Sequence, residues 1–170
     1  EEEILLAVDS APGADAVQLD MVWPNTGLVN ALKNKFPGLE IILQIGPQAF
    51  CNAEEDVREV ISRLFGYGKN QLSYVLLDRS AGRGKPMEPE VLVPFIDAIY
   101  QHFPSIGVAV AGGLGPDSLD LVGDLIALYP EISIDAEAKL RPSGDIKEPI
   151  SWEMAEAYIR TAVRMFSQFS

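Results

Sequence analysis

Thiols are nearly absent. Cys51 is the one cysteine in 170 residues, so no disulfide can form within the chain, in agreement with a reducing compartment. Histidine is equally scarce: His102 stands alone, and no Cys/His cluster offers a zinc site. The acidic residues are too scattered for a calcium-binding helix–loop–helix. No apolar run approaches the roughly 20 residues needed to cross a bilayer. Glu1-Glu2-Glu3-Ile4 has neither the basic end nor the apolar stretch of a signal peptide. Positive charge is in the minority: 13 Lys and Arg stand against 25 Asp and Glu, a net charge of −12. Such a chain is repelled by nucleic acid and by anionic membranes. Neither is an expected partner, and the cytoplasm is the expected compartment.

Apolar residues are plentiful, at 48%. At this length they provide one sizeable core, so residues 1–170 are expected to form a single α/β domain. Short apolar runs recur: Ala16 to Asp20, Glu40 to Ile45, Ser73 to Leu77, Ile106 to Ala111 and Ile132 to Ile134. They are mostly continuous, not alternating, which predicts parallel strands covered on both faces. Helical spacing fills the gaps. Leu28, Val29, Leu32 and Phe36 form one face, stopped by Pro37-Gly38. Asn52 is a candidate cap for the next helix, with Glu55 as its capping-box partner. Pro94 either starts or bends a third helix. Pro116 suits the first turn of a fourth, and Ser151 caps the last. Glu1 to Ser10 reads as helix or strand.

Alternating strands and helices predict βαβ units. Two architectures follow. One is a (β/α) barrel of the TIM type that lacks its first strands. The alternative is a five-stranded, doubly wound open sheet. Length favours the open sheet, since a barrel usually takes about 250 residues.

In both architectures ligands sit at the C-terminal ends of the strands. Those ends carry Asp20, Gln44, Asp78, Gly112-Gly113 and Asp135. Three carboxylates and an amide in such positions predict a polar site, although Asp also commonly caps the loop that follows a strand. Ala111-Gly112-Gly113-Leu114-Gly115-Pro116 is a glycine-rich turn between a strand and a helix, a place where backbone amides meet phosphate. Two loops, Asp78 to Lys85 and Asp135 to Arg141, hold Arg79, Arg83, Lys85, Lys139 and Arg141. These five are candidate anion-binding residues, and a small phosphorylated ligand is the expected partner. His102, Cys51, Trp23 and Trp152 read as structural. No cofactor or metal is expected.

These motifs resemble the phosphoribosylanthranilate isomerase family, from about Gly13 to the C-terminus. Gly13-Ala14-Asp15-Ala16-Val17-Gln18-Leu19-Asp20 is similar to that family's fourth-strand segment, with Asp20 in place of a His. Leu76-Leu77-Asp78 and the loop ending Gly84-Lys85 are similar to its sixth strand. Ala111-Gly112-Gly113-Leu114 with Pro116 is similar to its seventh. Ser133-Ile134-Asp135 with Pro142-Ser143-Gly144-Asp145-Ile146-Lys147 is similar to its eighth strand and tail. The resemblance implies a ribulose-phosphate-binding type of barrel in tryptophan biosynthesis. It also implies an Amadori rearrangement of an aminoaldose phosphate, with Asp78 as general acid and Gly112 and Gly113 at the phosphate.

Three departures stand out. The family's first-strand cysteine base has no counterpart, since Cys51 lies elsewhere. Ala136-Glu137-Ala138 replaces a Ser-Ser-Gly phosphate signature. Arg79 replaces a small polar residue. A diverged substrate, or a non-catalytic anion-binding or interaction domain on the same scaffold, is the alternative expectation. A barrel without its first strands would expose sheet edges. The expectation is therefore a segment upstream of Glu1, while a homo-oligomer remains open.

Overall fold

The computed structural model describes residues 1–80 and 86–169. Its elements follow the alternation of the sequence. Helix α1 (Glu2–Asp9) precedes β1 (Ala16–Leu19), α2 (Thr26–Lys35) and β2 (Glu40–Ile45). Then come α3 (Pro47–Asn52), α4 (Val57–Gly66), β3 (Tyr74–Asp78), α5 (Pro89–His102) and β4 (Gly107–Ala111). A 3₁₀ turn (Leu119–Val122), α6 (Gly123–Leu128), β5 (Ser133–Asp135), a second 3₁₀ turn (Ala138–Leu140) and α7 (Trp152–Phe166) complete the chain.

The five strands form one parallel sheet in the order β1-β2-β3-β4-β5. The order follows the chain and never reverses. The pleat sorts the side chains. Ile41, Leu43, Ile45, Val75, Leu77, Val108 and Val110 share a core with Leu28, Leu32, Val60, Leu64, Phe95, Ile96, Ile126 and Tyr158 from the helices. The alternate positions Leu76, Ala109 and Ala111, with Ile42 against them, form a second, smaller cluster that no helical residue joins. Among the described residues, one face of the sheet thus carries the helices, and the buried apolar cluster on the other is made of strand side chains.

Several local expectations change. Asn52 does not cap a helix; it ends α3, which starts at Pro47 in the first-turn position that proline tolerates. Asp56 caps α4 instead, its Oδ1 accepting from the backbone N–H groups of Arg58 and Glu59. Glu55 sits at φ +54° between the two helices. Pro94 neither starts α5 nor ends it. The helix begins at Pro89 and passes through Pro94, which is exposed together with Glu90, so the carbonyl that loses its partner faces water. Pro116 does not open an α-helix, because a 3₁₀ turn intervenes before α6. Ser151 caps α7 as expected, accepting from Met154 N–H at 3.3 Å. Trp152 does not pack: it is 84% exposed. Trp23 does, and its indole N–H donates to the Ala49 carbonyl.

Candidate functional site

The C-terminal ends of the strands surround a cavity of about 610 Å³. Its floor begins with Asp78, the last residue of β3. Side chains in a strand alternate between faces, and Asp78 falls in the helix-free row. In that row it pairs with Ala111 of β4, which pairs in turn with Asp135 of β5. Asp78 and Asp135 therefore stand two strands apart, on the same face and at the same height. Strands lie about 4.8 Å apart, so the two backbones are roughly 10 Å from each other.

Asp78 is buried and fully engaged. Its Oδ1 accepts from the Ser80 backbone N–H and the Ser80 hydroxyl, both at 2.7 Å. Its Oδ2 accepts from Gln44 Nε2 at 3.3 Å, and Gln44 Oε1 accepts from Gln18 Nε2 at 2.7 Å. Gln44, Asp78 and Ser80 are buried polar side chains. This depth of burial is tolerable because each finds partners in the others. The contact from Ser80 N–H is the local loop cap that an Asp at a strand end commonly makes. Asp78 thus caps its loop and also lines the cavity.

Asp135 is held differently. Burial pushes its pKa above the usual carboxyl range, helped by the charges of Glu137 and Asp78 and opposed by the Ala136 backbone N–H. Tyr158 of α7 lies close enough to feel Asp135. Burial first, and that charge second, push its hydroxyl up as well.

The glycine turn forms the adjoining wall. Gly112 and Gly113 take φ +132° and +63°, conformations that favour glycine. The Gly112 carbonyl accepts from Met87 N–H, and the Gly113 carbonyl from the Ser118 hydroxyl at 2.7 Å. The turn leads into a four-residue 3₁₀ turn, so the dipole of a long helix does not support it.

Comparison with family models, with curated proteins and with solved structures gives no match.

Of the residues singled out in the sequence, Asp20, Asp78, Gly112, Gly113, Asp135 and Lys139 line this one cavity. Arg79 and Arg141 do not. Arg79 follows Asp78 directly and points elsewhere, pairing with Glu55 at 2.9 Å and lying over the Phe50 ring. Arg141 braces its own loop, donating to the carbonyls of Glu137 and Glu148, each at 2.7 Å. Arg83 and Lys85 lie outside the described residues. The expected cluster of five cations is therefore not what the described residues show. On the wall, Lys139 stands against Asp20, Asp78, Asp135 and Glu137. Gln18 and Ser80 also belong to the site without having been read from the sequence. Ser80 carried a signal, the Asp-x-Ser spacing of a side chain that caps two residues ahead; Gln18 carried none.

Among the described residues, no group of three or more His, Cys, Asp or Glu side chains is placed to hold a metal ion. No described helix is long and apolar enough to cross a membrane. His102 ends α5 with its ring edge-on to Phe65, and Cys51 is exposed on α3.

Proposed function

We propose that the chain acts on a small phosphosugar as an acid–base isomerase of the aldose-to-ketose type, on a barrel-type scaffold. The observation that carries this reading is the placement of Asp78. It is a buried carboxylate on the central strand, held by Gln44 and Ser80, in one cavity with Asp135 and the Gly112-Gly113 turn. Isomerisation needs one group to protonate an oxygen and another to remove a proton from carbon. Two carboxyls on one face, a sugar's width apart, can reach both positions on one substrate. The glycine turn, with Lys139 opposite, is the proposed phosphate cradle.

The scaffold supports the same reading. A doubly wound sheet reverses its strand order and takes helices on both faces. The strand order here is sequential, and the helices share one core with one face. Such a sheet is the repeating unit of a (β/α) barrel. The lone, exposed thiol of Cys51 fits a reducing compartment such as the cytoplasm.

The test is incubation of the chain with phosphoribosylanthranilate in deuterated water, followed by NMR. Conversion to the aminoketose phosphate, lost in Asp78→Asn while binding persists, is the expected result. Binding without conversion is what a non-catalytic anion-binding domain on the same scaffold would give. Absence of both sinks the phosphosugar reading.

A further inference from the structure

Asp78 and Asp135 occupy equivalent places on the sheet but have different surroundings. Every hydrogen bond to Asp78 comes from a donor: Gln44 Nε2, Ser80 N–H and Ser80 Oγ–H. Both of its oxygens are thereby committed as acceptors. Asp135 has no such support, since the Ala136 N–H is its one described donor. The groups that bear on it are Asp78 from β3, Glu137 from the loop beyond β5 and Tyr158 from α7, with Asp20 and Lys139 on the same cavity wall. Burial is the chief cause that raises its affinity for a proton, and the charges of Glu137 and Asp78 add to it.

We propose that Asp135 is the proton donor of this site and Asp78 the proton acceptor. This assignment rests on the isomerase reading above, and it reverses the role that the family resemblance implies for Asp78.

The steps balance. Asp135 gives its proton to the ring oxygen of the aminoaldose as the C1–O bond breaks. The nitrogen lone pair forms the C1=N bond of an iminium. Asp78 takes the C2 proton, the C2–H electrons form C1=C2, and the nitrogen recovers its lone pair. Asp78 then returns a proton to C1, while Asp135, now a carboxylate, takes the proton of the C2 hydroxyl. C2 ends oxidised to a carbonyl and C1 reduced by the same two electrons. Both carboxyls regain their starting states, and no further reactant is needed.

Two measurements on the whole chain test this. Carboxyl-labelled aspartate, followed by ¹³C NMR against pH and assigned with Asp135→Asn, should show Asp135 releasing its proton above the ordinary value of 3.8. Release at or below that value overturns the proposal. In kcat/KM against pH for phosphoribosylanthranilate, Asp135→Asn should fall by about 10²–10⁴-fold and lose the descending limb. Asp78→Asn should lose the ascending limb. Asp135→Asn with the wild-type rate removes the donor role and leaves the isomerase reading intact. No turnover by the wild type sinks the isomerase reading and the donor role together, while the titration of Asp135 stands by itself.

Discussion

Gln44 and Asp78 meet across neighbouring strands, Gln44 Nε2 donating to Asp78 Oδ2 at 3.3 Å while Gln44 Oε1 accepts from Gln18. An amide is suited to this place because it can donate at one end and accept at the other. Gln44→Leu should remove both links and leave the buried Asp78 oxygen short of a donor. The expected cost is about 1–3 kcal/mol, read by urea denaturation. Gln44→Glu should cost at least as much at neutral pH, because it sets a second carboxylate against Asp78. Equal stability of wild type and Gln44→Leu would show that the bridge does not hold Asp78.

Gly115 fixes the distance between the glycine turn and Lys139. A Cβ at Gly115 would lie 2.5 Å from Lys139 Cβ and 3.1 Å from the Lys139 carbonyl oxygen. Neither atom is the free end of a flexible side chain, so Gly115→Ala should push the two loops apart. Overpacking of this kind costs about 1–3 kcal/mol. Phosphate binding, followed by titration calorimetry, should weaken in the variant, because its cradle and its cation separate. Unchanged stability and unchanged binding would show that this close approach is dispensable.

The sheet was more legible in the sequence than the walls of the cavity. Glu40–Ile45 stands out because it is a continuous apolar run with no competing pattern. β3 and β5 each extend one residue beyond the apolar run, to Asp78 and Asp135. A polar last residue hides the end of a strand, although here it is what delivers the carboxyls. Helix α3 is not legible in the sequence, because Gln48-Ala49-Phe50-Cys51 has no clear helical period. Adjacency along the chain groups the five cations. Adjacency does not fix a face: Arg79 follows Asp78 yet reaches Glu55 and Phe50. Strand alternation could have separated those two. The turn of Arg141 onto its own carbonyls depends on the path of a loop, which spacing does not encode.

Tyr67 gives a test of the packing between the end of α4 and the segment before α2. Its hydroxyl donates to the Pro24 carbonyl at 2.8 Å in a buried setting. Tyr67→Phe should leave that carbonyl without its partner, at a cost of about 1–3 kcal/mol. Burial, opposed by Arg63, raises the Tyr67 pKa to about 12 from 10.0. The folded state then holds this proton more tightly than the unfolded chain does. Stability should fall as pH rises from 10 towards 12, and Tyr67→Phe should remove that part of the alkaline loss. Thermal melts of both proteins between pH 8 and pH 12 decide the matter.

Asp135 should leave its mark on stability as well as on turnover. Its pKa is raised in the folded state, chiefly by burial and then by Glu137 and Asp78. Protonated Asp135 therefore favours folding relative to ionised Asp135. Its contribution is full below the ordinary value of 3.8 and is lost as pH rises through the folded value. Above that folded value the ionised group works against the fold. Asp135→Asn, which keeps the shape and removes the charge, should melt at a higher temperature than wild type at pH 7. The gain should shrink as pH is lowered and vanish below about 3.8, where both proteins are neutral at this position. A gain that is the same at every pH would mean that the charge of Asp135 plays no part. A loss at pH 7 would mean that its carboxylate is stabilised by partners in the cavity, and its role as proton donor would fall with that result.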